Sequence, residues 1–252
     1  MNSINIIGSG RVANKLALYL SQTTNILSIH SLEADRLRNL AQIINAKAVS
    51  DIHELDSEAE LTIIAVSDDQ IQAVAEQLDK TKAVIHTSGS IGIEVFEGFD
   101  KAGILYPLQT FSVDRVIDIS RIPFLIEATN ADFMEDLKAF TSSKLSSNIY
   151  EVDSEKRSKI HVAAVFANNF TNYLWSISEE VLKKEGIELD ILEPLLTESI
   201  QKAIVEGTMP SQTGPAIRGD EKVIEKHLNY LEGKPKEVYE LLTNAIREKF
   251  NS

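Results

Sequence analysis

The chain has 252 residues, 43% of them hydrophobic, and a formal charge of −13 from 25 basic and 38 acidic side chains. That size allows one large or two modest globular domains, and a balance this acidic, with no basic cluster to offset it, excludes nucleic acid and anionic membrane surfaces as partners. The absence of cysteine excludes disulfides, thiolate metal sites and cysteine nucleophiles, and no other metal-ligating cluster stands out.

In chain order, short β-rich runs at 4–7, 26–30, 46–49, 61–66, 83–86 and 103–106 alternate with amphipathic helical stretches at 12–22, 32–44 and 69–78. Such alternation predicts a parallel sheet covered by helices on both faces. The run 4–7 starts so close to Met1 that no secretion signal fits before it, and no run approaches the ~18 apolar residues of a membrane span, so a cytoplasmic protein is expected. The run 61–66 is nearly all apolar, as a strand buried on both sides requires. A further unit, strand 122–127, helix 131–140 and strand 148–152, extends the sheet's edge. The pattern then changes. Residues 153–184 read as one helix with neither Gly nor Pro, capped by Ser154 or Asp153 and stopped at Gly186. Helices at 190–206, 221–231 and 236–250 follow, with a long irregular loop at 207–220, and long loops in compact domains are often functional. The expectation is an α/β domain over 1–152 followed by an all-helical domain over 153–252.

The first strand runs into Gly8-Ser9-Gly10-Arg11-Val12-Ala13 and then a helix. This is the G-x-G-x-x-G/A pattern of a Rossmann-type dinucleotide site. Gly8 makes the tight turn, Gly10 lets the backbone approach a pyrophosphate, and Ala13 lets the helix pack close to the sheet. Ser9, Arg11 and Val12 complete the cradle, and the free N–H groups at the helix start hold the anion. The second strand decides between NAD and NADP, because an acidic residue at its end binds the ribose 2′-OH of NAD. Here that place holds Ser28-Ile29-His30-Ser31, and no carboxylate appears before Glu33. His30 and Ser31 can donate to a 2′-phosphate, with Arg11 adding charge, so NADP is favoured over NAD. A strand end capping the next helix is the other reading of Ser31.

Ligands of doubly wound sheets lie at the carboxyl ends of the strands. After the fourth strand, Val66, Ser67 and Asp68 are expected against the adenosine or ribose, with Ser67 or Asp68 also the N-cap of the next helix. After the fifth, His86, Thr87 and Ser88 form a polar platform for the nicotinamide; His86 is either a catalytic residue of the site or a satisfied, semi-buried histidine, and His86 and Ser88 are second-choice candidates for the proton donor, with Ser88 also a substrate contact. After the sixth, Tyr106, Gln109 and Thr110 can reach a substrate, or Pro107 simply stiffens a turn there.

On the long helix, His161, Asn168 and Asn172 stand at i, i+7 and i+11, within roughly 40° of one another on an α-helical wheel. Asn is a poor helix former and its amide is costly to bury unpaired, so this stripe in an apolar stretch needs an account. Either it hydrogen-bonds between helices, including across a dimer interface, or it faces a substrate, with His161 as general acid and the two Asn as orienters of a carbonyl or imine.

The order of a Rossmann domain, an extra αβ unit and a helical domain opening with a long helix resembles the superfamily of 6-phosphogluconate dehydrogenase and pyrroline-5-carboxylate reductase. Over segments 7–13, 86–89, 106–112, 161–172 and 213–220, nearly the whole chain, it resembles a Rossmann-like family with a C-terminal helical domain of unknown function, labelled NADP oxidoreductases without an assigned substrate. The resemblance implies a homodimer through the helical domains and a loop at 213–220 in which Arg218 binds an anionic substrate group or pairs with Asp220 or Glu221. The chain departs from the wider superfamily in one respect. Many members carry a catalytic Lys one turn before an Asn on the long helix, but here Ala164 precedes Asn168, and Lys159 lies on roughly the opposite face. The lysine mechanism does not carry over. The function expected is an NADP-dependent oxidoreductase moving a hydride between nicotinamide and a C=O or C=N group of a small metabolite. The alternative is a protein that binds NADP(H) without turnover.

Overall fold

The computed structural model describes residues 1–112 and 115–250. Eight strands form one sheet in the order β3-β2-β1-β4-β5-β6-β7-β8. They are β1 (Ser3–Ile7), β2 (Asn25–His30), β3 (Lys47–Val49), β4 (Leu61–Ile64), β5 (Val84–His86), β6 (Ala102–Pro107), β7 (Phe124–Ala128) and β8 (Ile149–Glu151). All neighbours are parallel except β6 and β7, which run antiparallel from Gly103↔Ala128 to Pro107↔Phe124. The physical reason is the connection: parallel neighbours need a crossover, usually a helix, and no α-helix is found among the described residues between Pro107 and Phe124.

Helices α1 (Arg11–Leu20), α2 (Ala34–Ile44), α3 (Asp68–Ala75) and α4 (Ala131–Lys144) cover the sheet. Side chains alternate across each strand, so each strand feeds two cores. On one face Ile4, Ile6, Leu61, Ile63, Ile85 and Leu105 pack with Leu16 and Leu20 of α1, Leu40 of α2 and Phe133 and Leu137 of α4. On the other, Ile7, Ile64 and Val84 pack with Ile71 and Ala75 of α3 and with Phe96 and Phe99. Asn5 also belongs to this second face. It is buried but satisfied: its Nδ2 donates to the Asp56 carbonyl at 2.9 Å and its Oδ1 accepts from Ser28 Oγ at 2.7 Å.

The long helix is not uniform. α5 (Ser154–Ala164) passes into a π-helical turn, Val165–Phe170, and then into α6 (Thr171–Lys183). Asp153 caps the start by accepting from the Lys156 amide at 2.7 Å, which frees Ser154 for tertiary bonds. A π turn closes i→i+5, so an α-helical wheel loses phase across it. The alignment of Asn168 and Asn172 with His161 expected from that wheel therefore does not apply.

The chain falls into two compact units, Met1–Asn169 and Phe170–Ser252. After α6, the second unit holds α7 (Glu193–Glu206), the single-turn α8 (Thr208–Ser211) and α9 (Pro215–Arg218), α10 (Glu221–Tyr230) and α11 (Gly233–Phe250). The stretch 207–220, expected to be irregular, thus contains two short helices. Asp220 caps α10 through the Val223 amide, and Glu221 pairs with Arg247 at 2.6 Å. His227 Nδ1 meets the Tyr239 hydroxyl at 2.8 Å, a structural contact. Among the described residues no helix is long and apolar enough to cross a membrane.

Candidate active site

The strand order reverses direction at β1 and β4, where the connection from β1 leads outward to β2 and the one from β4 leads to β5. Loops leaving such a pair diverge and open a crevice at the carboxyl ends. A cavity of about 1060 Å³ lies there, lined by Gly8, Ser9, Gly10, Arg11 and Val12 after β1, by Val66, Ser67 and Asp68 after β4, and by Thr87 and Ser88 after β5. Its walls also include His30 and Ser31 at the end of β2, Tyr106 on β6 and His161 on α5.

The glycine loop is built for close approach. Gly8 has φ +127°, and a Cβ there would stand 2.2 Å from the Ala65 carbonyl oxygen, so backbone geometry and space both require glycine. Gly10 is different: its φ is −69°, which any residue adopts, and a Cβ there would meet nothing within 4 Å. It faces the cavity and caps α1 without a side-chain bond, so the amides of the first turn are left for a ligand. Ala13 is fully buried in the sheet-facing core, as close helix–sheet packing requires. These features fit a dinucleotide pyrophosphate.

Ser9 and Ser31 hold the loop to β2 through an Oγ···Oγ bond of 2.7 Å, and Ser31 Oγ also accepts from the Glu33 amide at 3.2 Å. His30 is nearly buried; its Nδ1 bonds the Val49 carbonyl at 3.1 Å. Arg11 is exposed on the rim. Sequence reasoning set Glu33 aside, yet it lines the cavity, with its carboxylate held by Arg36 at 2.9 Å. Only the turn into α2 brings it there. Ser67 occupies the N-cap position of α3 but makes no side-chain cap bond.

The platform after β5 has a hidden support. His86 is fully buried and does not line the cavity. Its Nδ1 accepts from the Ser88 amide at 3.2 Å, and its Nε2 faces the Gly92 carbonyl at 3.4 Å. Burial holds its pKa down at about 3, and the Arg157 charge acts in the same direction. Neutral, buried and away from the cavity wall, His86 is not placed to pass a proton to a substrate there; its ring nitrogens hold the loop instead. Ser88 Oγ likewise braces the loop, accepting from the amides of Ser90 and Ile91, each at 3.0 Å.

Opposite this platform stands a pair that only the fold brings together. Tyr106 Oη lies 2.9 Å from His161 Nδ1, and the rings meet edge to face. Both rest on Gly89, where a Cβ would be 2.7 Å from His161 Nδ1 and 2.9 Å from Tyr106 Cζ. Burial raises the Tyr106 pKa above that of a free phenol, and the Asp68 charge adds to this, so the phenol keeps its proton. With a neutral imidazole the O–H therefore donates to Nδ1 and the ring proton sits on Nε2; once the ring is protonated, Nδ1–H becomes the donor. The other predicted residues lie elsewhere. Asn168 is exposed and outside the cavity lining, and Asn172 is exposed in the second unit. Gln109 and Thr110 are exposed outside the lining, with Gln109 Oε1 accepting from the Thr110 amide at 2.8 Å. Arg218 is exposed at the end of α9 in the second unit.

Residues 3–90 match the family model described as NADP oxidoreductase coenzyme F420-dependent, and residues 122–246 match a domain of unknown function, DUF2520. The Bacteroides fragilis protein named putative NADP oxidoreductase BF3122 is 38% identical, with 98% of each chain covered and a TM-score of 0.90. The chain belongs to this family of two-domain NADP oxidoreductases. A second relative of the family's fold, protein TM1727 from Thermotoga maritima, is 26% identical over 99% of this chain and 100% of its own, with a TM-score of 0.77. An imine reductase from Myxococcus stipitatus, in complex with NADP+, shares the fold at 14% identity, 99% and 93% coverage and a TM-score of 0.70. No curated protein matches the chain in sequence. Among the described residues, no group of three or more His, Asp or Glu is placed to hold a metal ion.

Proposed function

We propose that this oxidoreductase uses NADP(H) to interconvert a C=O or C=N group of a small metabolite with its reduced form. The observation that carries this reading is the Tyr106–His161 pair standing in the same cavity as the glycine loop. The bound nicotinamide supplies a hydride, the part of the chemistry no side chain can provide. The protein's part is to bind, orient and move a proton. Amides at the start of α1 bind the pyrophosphate, and His30, Ser31 and Arg11 face the 2′-phosphate. His161 is the acid that supplies the proton to the substrate heteroatom, and Tyr106 fixes its ring and contacts the substrate. Asn168 and Asn172, expected from the sequence to orient the substrate, are exposed and stand outside the cavity lining, so this reading gives them no part.

The cysteine-free chain suits a reducing cytoplasm. It acts as a homodimer. The reading is supported by the helical region's exposed apolar side chains, Phe166, Leu195, Ile204 and Val205 at 64%, 61%, 78% and 83%. Sedimentation of a single 28.0 kDa species at micromolar concentration counts against the dimer.

The test of function begins with NADPH and NADH titrations followed by nicotinamide fluorescence, then a screen of carbonyl and imine compounds. His161→Ala is expected to keep NADPH affinity and to lose about 100-fold or more in turnover. Undiminished turnover in His161→Ala removes His161 as the acid. Failure of the wild-type protein to bind NADPH removes the whole reading.

A further inference from the structure

One helical turn before His161 stands Arg157, which is wholly buried. Its guanidinium donates to the Glu127 carboxylate on β7, to the Ile91 carbonyl in the loop after β5, and to Ser154 Oγ at 3.2 Å. Ser154 Oγ in turn donates to Glu127 at 2.7 Å and accepts from the Ile93 amide at 3.0 Å. Arg157 Nε is buried without a hydrogen-bond partner among the described residues.

An arrangement of this kind is a poor way to gain stability. A buried ion pair must offset the loss of two hydration shells, and an apolar pair of the same volume often serves as well or better. Its geometry suggests another account. Residues four apart share a helix face, so Arg157 and His161 address the same neighbour. That neighbour is the loop 88–93: Arg157 grips it at Ile91, and His161 lies against it at Gly89, two residues earlier. Glu127 ties the same grip to β7, which lies beside the β6 strand that carries Tyr106. The Arg157 cluster therefore joins α5 and the loop 88–93, which both meet at the Tyr106–His161 pair, to β7, the neighbour of the strand that carries Tyr106.

We propose that Arg157, braced by Glu127 and Ser154, is a positioning residue that sets the register of α5 against the loop 88–93 and so holds His161 Nδ1 within hydrogen-bond reach of the Tyr106 hydroxyl. The consequence for turnover rests on the reading of His161 as the acid; the positioning itself does not.

The test uses the full chain labelled with ¹⁵N-histidine, first without cofactor. His161 ring signals are assigned through His161→Ala, and Tyr106→Phe supplies the reference for a broken pair. Arg157→Lys keeps the charge but cannot reach Glu127 and Ile91 together; Ser154→Ala cuts three links, to Arg157, Glu127 and Ile93, without stranding a buried charge, and it decides the matter if the Arg157 variant fails to fold. Both variants are expected to move the His161 ring signals toward those of Tyr106→Phe while NADPH affinity stays within about threefold. With a carbonyl or imine substrate, kcat falls about 10- to 100-fold with KM little changed, as for a displacement of under 1 Å at a reacting group. Wild-type His161 signals in folded Ser154→Ala and Arg157→Lys overturn the proposal, whatever the activity. If the signals move but Tyr106→Phe and His161→Ala turn over normally, the positioning stands and the acid assignment fails.

Discussion

The two glycines that open the cavity make opposite predictions, and the contrast decides whether the loop is a ligand cradle. Gly10→Ser places a Cβ where nothing lies within 4 Å, on a backbone with φ −69° that serine adopts freely. Serine is a good N-cap, and relative to glycine it changes helix stability by only a few tenths of a kcal/mol. For a chain of this size that moves Tm by about 1 °C, using about 2–4 °C per kcal/mol. The new side chain fills the space kept for an anion, and its hydroxyl takes one of the first-turn amides. Losing one charge-assisted hydrogen bond of about 1.5–3 kcal/mol weakens NADPH by about 10- to 100-fold. Gly8→Ala does the reverse. It forces φ +127° on a residue with a Cβ and drives that Cβ to 2.2 Å from the Ala65 carbonyl. Backbone strain of about 1–3 kcal/mol and overpacking of similar size destabilise the fold by about 2–6 kcal/mol. The assay is thermal unfolding of both variants beside a fluorescence titration with NADPH. An unchanged Kd in Gly10→Ser shows that the free amides of α1 hold no anion and refutes the reasoning. So does a large loss of Tm in Gly10→Ser, because it would mean that the open space is not open.

Gly89→Ala sets a methyl carbon 2.7 Å from His161 Nδ1 and 2.9 Å from Tyr106 Cζ, so the pair must separate; turnover is expected to fall about 100-fold with NADPH affinity retained. Equal kcat in that variant shows the pair to be dispensable. His30→Ala and Arg11→Ala are each expected to weaken NADPH about tenfold and leave NADH unchanged in fluorescence titrations, and equal losses for both cofactors refute the assignment to the 2′-phosphate. His86 is neutral in the folded protein down to about pH 3 but takes a proton near pH 6.5 when unfolded. The unfolded state therefore binds more protons in that window, and His86 withdraws stability as pH falls, by at most about 1.4 kcal/mol per pH unit between those limits. Urea unfolding at pH 7 and pH 5 is expected to show a shallower pH dependence in His86→Gln than in the parent, and identical dependence contradicts the burial argument.

Much of this architecture is written in local sequence. Strand–helix alternation, the all-apolar run at 61–66 and the glycine turn before a helix act over short distances, so all eight strands and the main helices are legible from residue type and period alone. The cofactor loop belongs to this class, because Gly8, Gly10 and Ala13 lie within six consecutive residues. His161 was legible as an anomaly, a polar residue on an apolar helix. Its pairing with Tyr106, read from the sequence only as a residue within reach of a substrate, was not. Tyr106 and His161 are 55 positions apart, and nothing in either neighbourhood announces that β6 and α5 meet over Gly89. Arg157 and Glu127 carry no signal either, because in sequence they look like ordinary solvated charges, and only burial turns them into a constraint. The wheel that grouped Asn168 and Asn172 with His161 failed at the π turn, a departure of backbone hydrogen bonding that side-chain periodicity does not record. His86 and Glu33 changed places for the same kind of reason: one strand end buries its imidazole beneath a loop, and one helix start carries a carboxylate into the cavity. Which elements form, and where the glycine turn meets a helix start, depends on neighbours a few residues away and is therefore readable along the chain. Which side chains face one another in the cavity depends on how distant strands and helices pack, and no local pattern records that.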